Sequence, residues 1–209
     1  MPADLVVCTL FWEANRHSKS FSSMYDQTWV EKLYRGFARH LTHPFEFICF
    51  TDRHRDYEEP IAQEPLTNHV PSYADCIEPY RLGRPMILVG LDTVITGNID
   101  HLAEYCLTEH RIAVPLDPYK PEQVCNGVAL VPAGNSHVFD RWQGENDMEW
   151  IRRQDPAVID TLFPGQVLSY KGHVKPDGLG DARIVYFHGP EKMHEPPVRD
   201  LDWVRTNWR

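Results

Sequence analysis

Residues 5–52 constrain the fold of this 209-residue chain more than any other stretch. Leu5-Val6-Val7-Cys8-Thr9-Leu10-Phe11-Trp12 is a near-continuous apolar and β-branched run, the pattern of a strand buried on both faces. Residues 27–41 then space Trp29, Val30, Leu33, Tyr34, Phe37, Ala38 and Leu41 so that one helical face is apolar, while Glu31, Lys32, Arg35 and Arg39 lie elsewhere. Pro44 stops this helix, and Phe45-Glu46-Phe47-Ile48-Cys49-Phe50-Thr51-Asp52 supplies a second strand. Strand, amphipathic helix and strand at this spacing make a βαβ unit, and its right-handed crossover sets the two strands parallel and close to one another. The predicted fold class is α/β: one domain over residues 1–209, with a mostly parallel central sheet flanked by helices. The segment over residues 13–23 is polar and serine-rich, and is expected to be a loop.

A third buried strand is expected from Met86 to Leu91, and it stops at Asp92 before a β-branched pair, Thr93-Val94, and a Gly97-Asn98 turn. That puts Asp92 at the carboxyl end of a central strand, the edge at which open α/β sheets leave a ligand crevice. A carboxylate there can hold a divalent cation against nucleotide phosphates, through the hard-oxygen chemistry that Mg²⁺ and Mn²⁺ prefer. A lone aspartate after a strand is more often a turn or cap residue. Between residues 53 and 85 four prolines interrupt the pattern, with a short helix over 73–80. Downstream, helices are expected over 99–106, 136–141 and 147–153, and strands over 111–116, 125–132, 163–171 and 183–188. A proline-rich loop is expected over 117–123. The tail from residue 196 carries Trp203 and Trp208 and is expected to dock on the body.

Composition narrows the function classes. A formal net charge of -9 disfavours a general nucleic-acid surface, which needs cations to displace counterions. No apolar run approaches the ~20 residues of a membrane span, and the first residues lack a basic-then-apolar leader, so a cytoplasmic protein is expected. The five cysteines are scattered and form no CxxC pair, which suggests reduced packing thiols rather than disulfides or zinc ligands.

Three polar spots fall at strand ends: Asp92, Asn126-Gly127 and the loop His188-Gly189-Pro190-Glu191-Lys192. If their strands share one sheet, all three face one crevice. The His188 imidazole can then join Asp92 on a metal, and Lys192 can neutralise a diphosphate as a point charge. Taken alone, the histidine and the lysine read equally well as solvated turn residues.

Taken in order, Ile87-Leu88-Val89-Gly90-Leu91-Asp92-Thr93, Cys125-Asn126-Gly127-Val128, Asp147, Gly165-Gln166-Val167-Leu168-Ser169-Tyr170-Lys171 and Val185-Tyr186-Phe187-His188-Gly189-Pro190-Glu191-Lys192 resemble the successive blocks of the glycogenin-like (family 8 type) glycosyltransferases, which have the GT-A fold. The resemblance implies transfer of a sugar from a nucleotide-diphosphate donor, a UDP-sugar, to an acceptor it does not specify. It implies Mn²⁺ or Mg²⁺ on Asp92 and His188, and Lys192 on the diphosphate. Asn126 and Gly127 would line the sugar pocket, and Thr9, Leu10, Phe11 and Trp12 would form part of the base pocket. Leu91 and Gly189 would complete the donor site, and Asp147 would orient sugar hydroxyls or carry a proton from the acceptor.

Two departures stand out: Gly90 replaces the first aspartate of the family's Asp-x-Asp motif, and Met148 replaces the glutamine of its Asp-Gln pair. Both suit an alternative, a nucleotide-sugar-binding protein that has lost catalysis. A nucleotidyltransferase would need a glycine-rich basic loop after the first strand, and residues 13–20 contain no glycine. The start of the 147–153 helix also admits Asp147 as its N-cap.

Overall fold

The computed structural model describes residues 4–18 and 22–209. Every residue of β1 (Leu5–Phe11) is buried, and its side chains alternate between two faces. Leu5, Val7 and Phe11 pack with Val30, Leu33 and Phe37 of helix α1 (Gln27–His40). Val6, Cys8 and Leu10 pack with Ile77 and Tyr80 of the 3₁₀ helix Tyr73–Leu82 on the opposite side. Burial on both faces is why the strand reads as an unbroken apolar run. Helix α1 begins where Asp26 accepts a hydrogen bond from the Thr28 amide at 2.9 Å.

Around β1, parallel pairing joins β2 (Phe45–Thr51) on one side and β4 (Met86–Val89) on the other, and β2 in turn pairs with β3 (Ile61–Pro65). The sheet continues past β4 through β9 (Val128–Val131), β6 (Ala113–Val114) and β10 (Ala157–Val158), giving seven strands in the order β10-β6-β9-β4-β1-β2-β3. Only β9 runs against its neighbours. Helix α2 (Asp100–Thr108) sets Leu102, Ala103 and Cys106 into the same core as α1. The chain is thus mixed α/β, with a central, mostly parallel sheet between helices.

A second sheet of three strands, β11 (Val167–Ser169), β12 (Ile184–Tyr186) and β5 (Thr93–Ile95), leans on the first. The three polar spots thus stand on strands of two sheets. Residues 93–95, for which the sequence pattern predicts no element, pair antiparallel with β12, because Val94 and Ile95 are buried there against Val185 and Ile184. The proline-rich loop is a hairpin, β7 (Leu116–Asp117) with β8 (Lys120–Val124), which also cuts short the strand expected over 111–116. Strand β3 falls in the proline-interrupted stretch and was not expected. As an edge strand it is only half-buried and ends in Pro65, so it shows no apolar signature. The expected strand over 163–171 is three residues long and gives way to a π-helical turn, Tyr170–Val174.

Of the loop expected over 13–23, residues 19–21 lie outside the described residues. In the tail, Trp208 meets Trp29 of α1 edge-on at 4.9 Å, Val198 and Val204 are buried, and His40 lies 2.9 Å from the Asn207 side-chain oxygen.

Candidate functional site

Asp92 occupies the junction between the two sheets, just after β4 and just before β5. Pairing of Tyr186 with Thr93, extended by a 2.9 Å hydrogen bond from the Phe187 amide to the Asp92 carbonyl, brings the residue after β12 alongside it. That residue is Phe187, and His188 follows it. The chain then turns back through two left-handed positions, Gly189 with φ 62° and Glu191 with φ 66°. Such a conformation is uncommon for a glutamate. The reversal delivers Lys192, 3% exposed, onto the Asp92 carboxylate, where its ammonium donates to Oδ2. Tyr25 also donates to Oδ2, at 3.2 Å. Burial, reinforced by the charge of Asp92, pushes the Tyr25 hydroxyl up, so it remains a donor.

His188 is held from the other side, its Nε2 lying 2.8 Å from Ser169 Oγ. Burial lowers its pKa, and the neighbouring Lys171 and Lys192 lower it further. The imidazole is therefore neutral at physiological pH.

Because β9 runs antiparallel to β4, its amino end lies beside the carboxyl end of β4, and Asn126 and Gly127 enter the same crevice. The Asn126 amide donates to Asp147 Oδ2 at 2.6 Å. Helix α3 (Asp147–Arg152) is capped by Asn146, which accepts from the Glu149 amide, so the N-cap reading of Asp147 is corrected. Freed from capping, the Asp147 side chain is buried and faces Asn126. Burial raises its pKa, against the opposing pull of the Asn126 hydrogen bond.

These groups surround one cavity of about 490 Å³, within the range of small-molecule sites. Leu10, Phe11, Trp12, Leu91 and Asp92 line it from β1 and the end of β4. Asn126, Gly127 and Asp147 close one side, and His188, Gly189 and Lys192 the other. Thr9 does not belong: it is fully buried in β1, and its hydroxyl finds no hydrogen-bond partner among the described residues. Gly127 has a second neighbour, since a Cβ there would meet the Tyr186 ring at 2.8 Å.

Tyr25, Tyr73, Cys76 and Tyr80 also line the cavity and were not singled out from sequence. Tyr73 packs edge-on to Trp12 at 6.0 Å, and with Leu10 and Phe11 they give the cavity an aromatic and apolar lining, to which Asp92 and Lys192 add a charged pair. Tyr25 precedes a helix cap in a polar loop, and Tyr73 and Tyr80 sit on a 3₁₀ helix whose pattern proline breaks, so no periodicity marked them.

The donor set falls short of a divalent-cation site. Asp92 and His188 are the two ligands expected from sequence, Gly90 contributes none, and Oδ2 of Asp92 already accepts from an ammonium and a phenol. Among the described residues, no group of three His, Cys, Asp or Glu side chains is arranged to hold a metal ion. Among the described residues, no helix is long and apolar enough to cross a membrane. No protein-family model matches the chain, and no curated protein matches it.

Proposed function

We propose that the protein is a nucleotide-sugar-dependent glycosyltransferase of the GT-A type, transferring a hexose from a UDP-sugar. The observation that carries this reading is the lining of one cavity, which gathers the aromatic rings of Trp12 and Tyr73, the Lys192 ammonium and the Asn126–Asp147 pair. The cavity lies at the carboxyl ends of β1 and β4, the edge of a mostly parallel sheet at which α/β folds bind ligands. The aromatic rings suit a base, the ammonium a diphosphate, and the hydrogen-bonded carboxylate a sugar.

In the transfer, the bond from the anomeric carbon to the diphosphate oxygen breaks, and its electron pair leaves with the diphosphate. The acceptor oxygen bonds to the same carbon and gives up its proton. Positive charge grows on the sugar while negative charge grows on the leaving group. Lys192, buried and fixed before the reaction, stabilises the leaving charge without a reorganisation cost. Asp147, with its raised pKa, orients hydroxyls or takes the acceptor's proton.

The test is release of free nucleoside diphosphate from a panel of nucleotide-sugars. Release that disappears in Asp147→Ala supports the reading, and no release from any donor refutes it. Met148 favours a second reading, a catalytically silent nucleotide-sugar binder, because a thioether lines the cavity where the resemblance expects an amide. Binding without release would establish that one instead.

A further inference from the structure

We propose that the donor's diphosphate is neutralised by a cation belonging to the chain, the Lys192 ammonium seated on Asp92, and that no divalent metal ion takes part. The inference rests on the reading of the cavity as a nucleotide-sugar site, and goes beyond it by giving Asp92 a different role. Asp92 becomes a positioning residue for Lys192 rather than a metal ligand.

Four observations converge. The Lys192 side chain is almost completely buried, yet it lines the cavity. A buried ammonium needs a counter-ion, and Asp92 is the carboxylate that supplies it. Next, the Asp92 carboxylate fills the room that a side chain at residue 90 would take. A Cβ on Gly90 would lie 2.8 Å from Asp92 Oδ1. The glycine is thus part of the same arrangement, in which one carboxylate folds back to meet one ammonium. Third, Tyr25 donates to the same oxygen that Lys192 uses, fixing the rotamer and occupying the lone pairs of Oδ2, so the carboxylate cannot chelate a cation through both oxygens.

Finally, three ammonium groups stand at the loop without a metal. Lys171, Lys175 and Lys192 face only Asp92 and Glu191 in their ion pairs, and Lys171 lies against Gly189 at the cavity wall. A diphosphate entering beside Gly189 meets two ammonium groups. Both are already paired, Lys192 with Asp92 and Lys171 with Glu191, so binding replaces part of a carboxylate's claim on each with a phosphate oxygen, and Asp92 keeps the Lys192 ammonium aimed.

Calorimetric titration of the full chain with uridine, guanosine and adenosine 5′-diphosphates, in excess EDTA and again with Mn²⁺ or Mg²⁺, decides the matter. One nucleotide is expected to bind equally well in both conditions. Lys192→Met is expected to weaken it by roughly 10- to 100-fold, the worth of one charge-assisted hydrogen bond, and to leave binding of the matching nucleoside unchanged. Lys192→Arg is expected to recover much of the loss, and Asp92→Asn to retain binding in EDTA. Should Lys192→Met fail to fold, the latter two variants carry the test. Affinity that appears only with metal and vanishes in Asp92→Asn would make Asp92 a metal ligand. That would overturn this inference and leave the glycosyltransferase reading standing. No binding of any nucleotide in either condition would overturn both.

Discussion

Replacing Gly127 by alanine tests whether β12 and the Asn126 side of the cavity are locked together by one close approach. The added Cβ would lie 2.8 Å from Tyr186 Cδ2 and 3.2 Å from Cε2. Carbon atoms settle at about 3.5–4.0 Å, so the ring would have to retreat by about 0.7 Å or more. It has little room, because Tyr186 is 3% exposed and sits on the central strand of its sheet, opposite Ser169 on one side and Thr93 on the other. Overpacking of this kind costs about 1–3 kcal/mol. In a chain of this length each kcal/mol lowers the melting temperature by about 2–4 °C, so a fall of roughly 2–12 °C is expected in a calorimetric scan. The strain passes along β12 to His188 and along β9 to Asn126, so KM for the donor is expected to rise as well. Gly36→Ala is the control. That glycine lies inside α1, and its Cβ would meet Ile95 at an ordinary 3.5 Å, so the change is expected to stabilise by about 0.5–1 kcal/mol. A Gly127→Ala protein that melts at or above wild type, alongside the gain from Gly36→Ala, would refute the contact.

Asp147→Asn separates stability from activity. Burial keeps the Asp147 proton bound to a higher pH in the folded chain than in the unfolded one, so its contribution to stability declines as pH rises from the usual carboxylate range through the raised folded value. The asparagine variant escapes that decline, so its melting temperature relative to wild type is expected to climb over that window, while donor turnover falls by roughly 10² or more; a flat difference would contradict the burial argument. Trp29→Ala is expected to cost about 3–5 kcal/mol, because the indole is buried between Tyr25 at 4.9 Å and Trp208 at 4.9 Å; chemical denaturation measures it, and a loss under 1 kcal/mol would sink the claim. Gly90→Asp forces Asp92 off its present rotamer and adds a second carboxylate, so Mn²⁺ is expected to raise the melting temperature of this variant and leave wild type unmoved.

The parts of the fold that can be read from the chain are those whose environment is uniform along the sequence. Strand β1 is buried on both faces over seven residues, and α1 alternates a buried face with an exposed one, so each writes its own period. Strand β5 writes nothing of the kind. Thr93–Ile95 is three residues long, and its partner lies some ninety positions away, so the pairing that makes it a strand is absent from any local window. The candidate site divides along the same line. Asp92, Asn126, Asp147, His188 and Lys192 are chemically conspicuous, and the cavity does gather them. What each does depends on which neighbour it meets. Asp147 looks like a cap until Asn146 is seen to hold the Glu149 amide, and Asp92 looks like a metal ligand until Lys192, 100 residues later, is seen to sit on it. Residue type limits a site to a class of chemistry, and it is the long-range pairing that selects one member of the class. Here that selection runs through two residues with positive φ, Gly189 and Glu191, because without the reversal they make, Lys192 would point away from Asp92 and the carboxylate would be free for a cation.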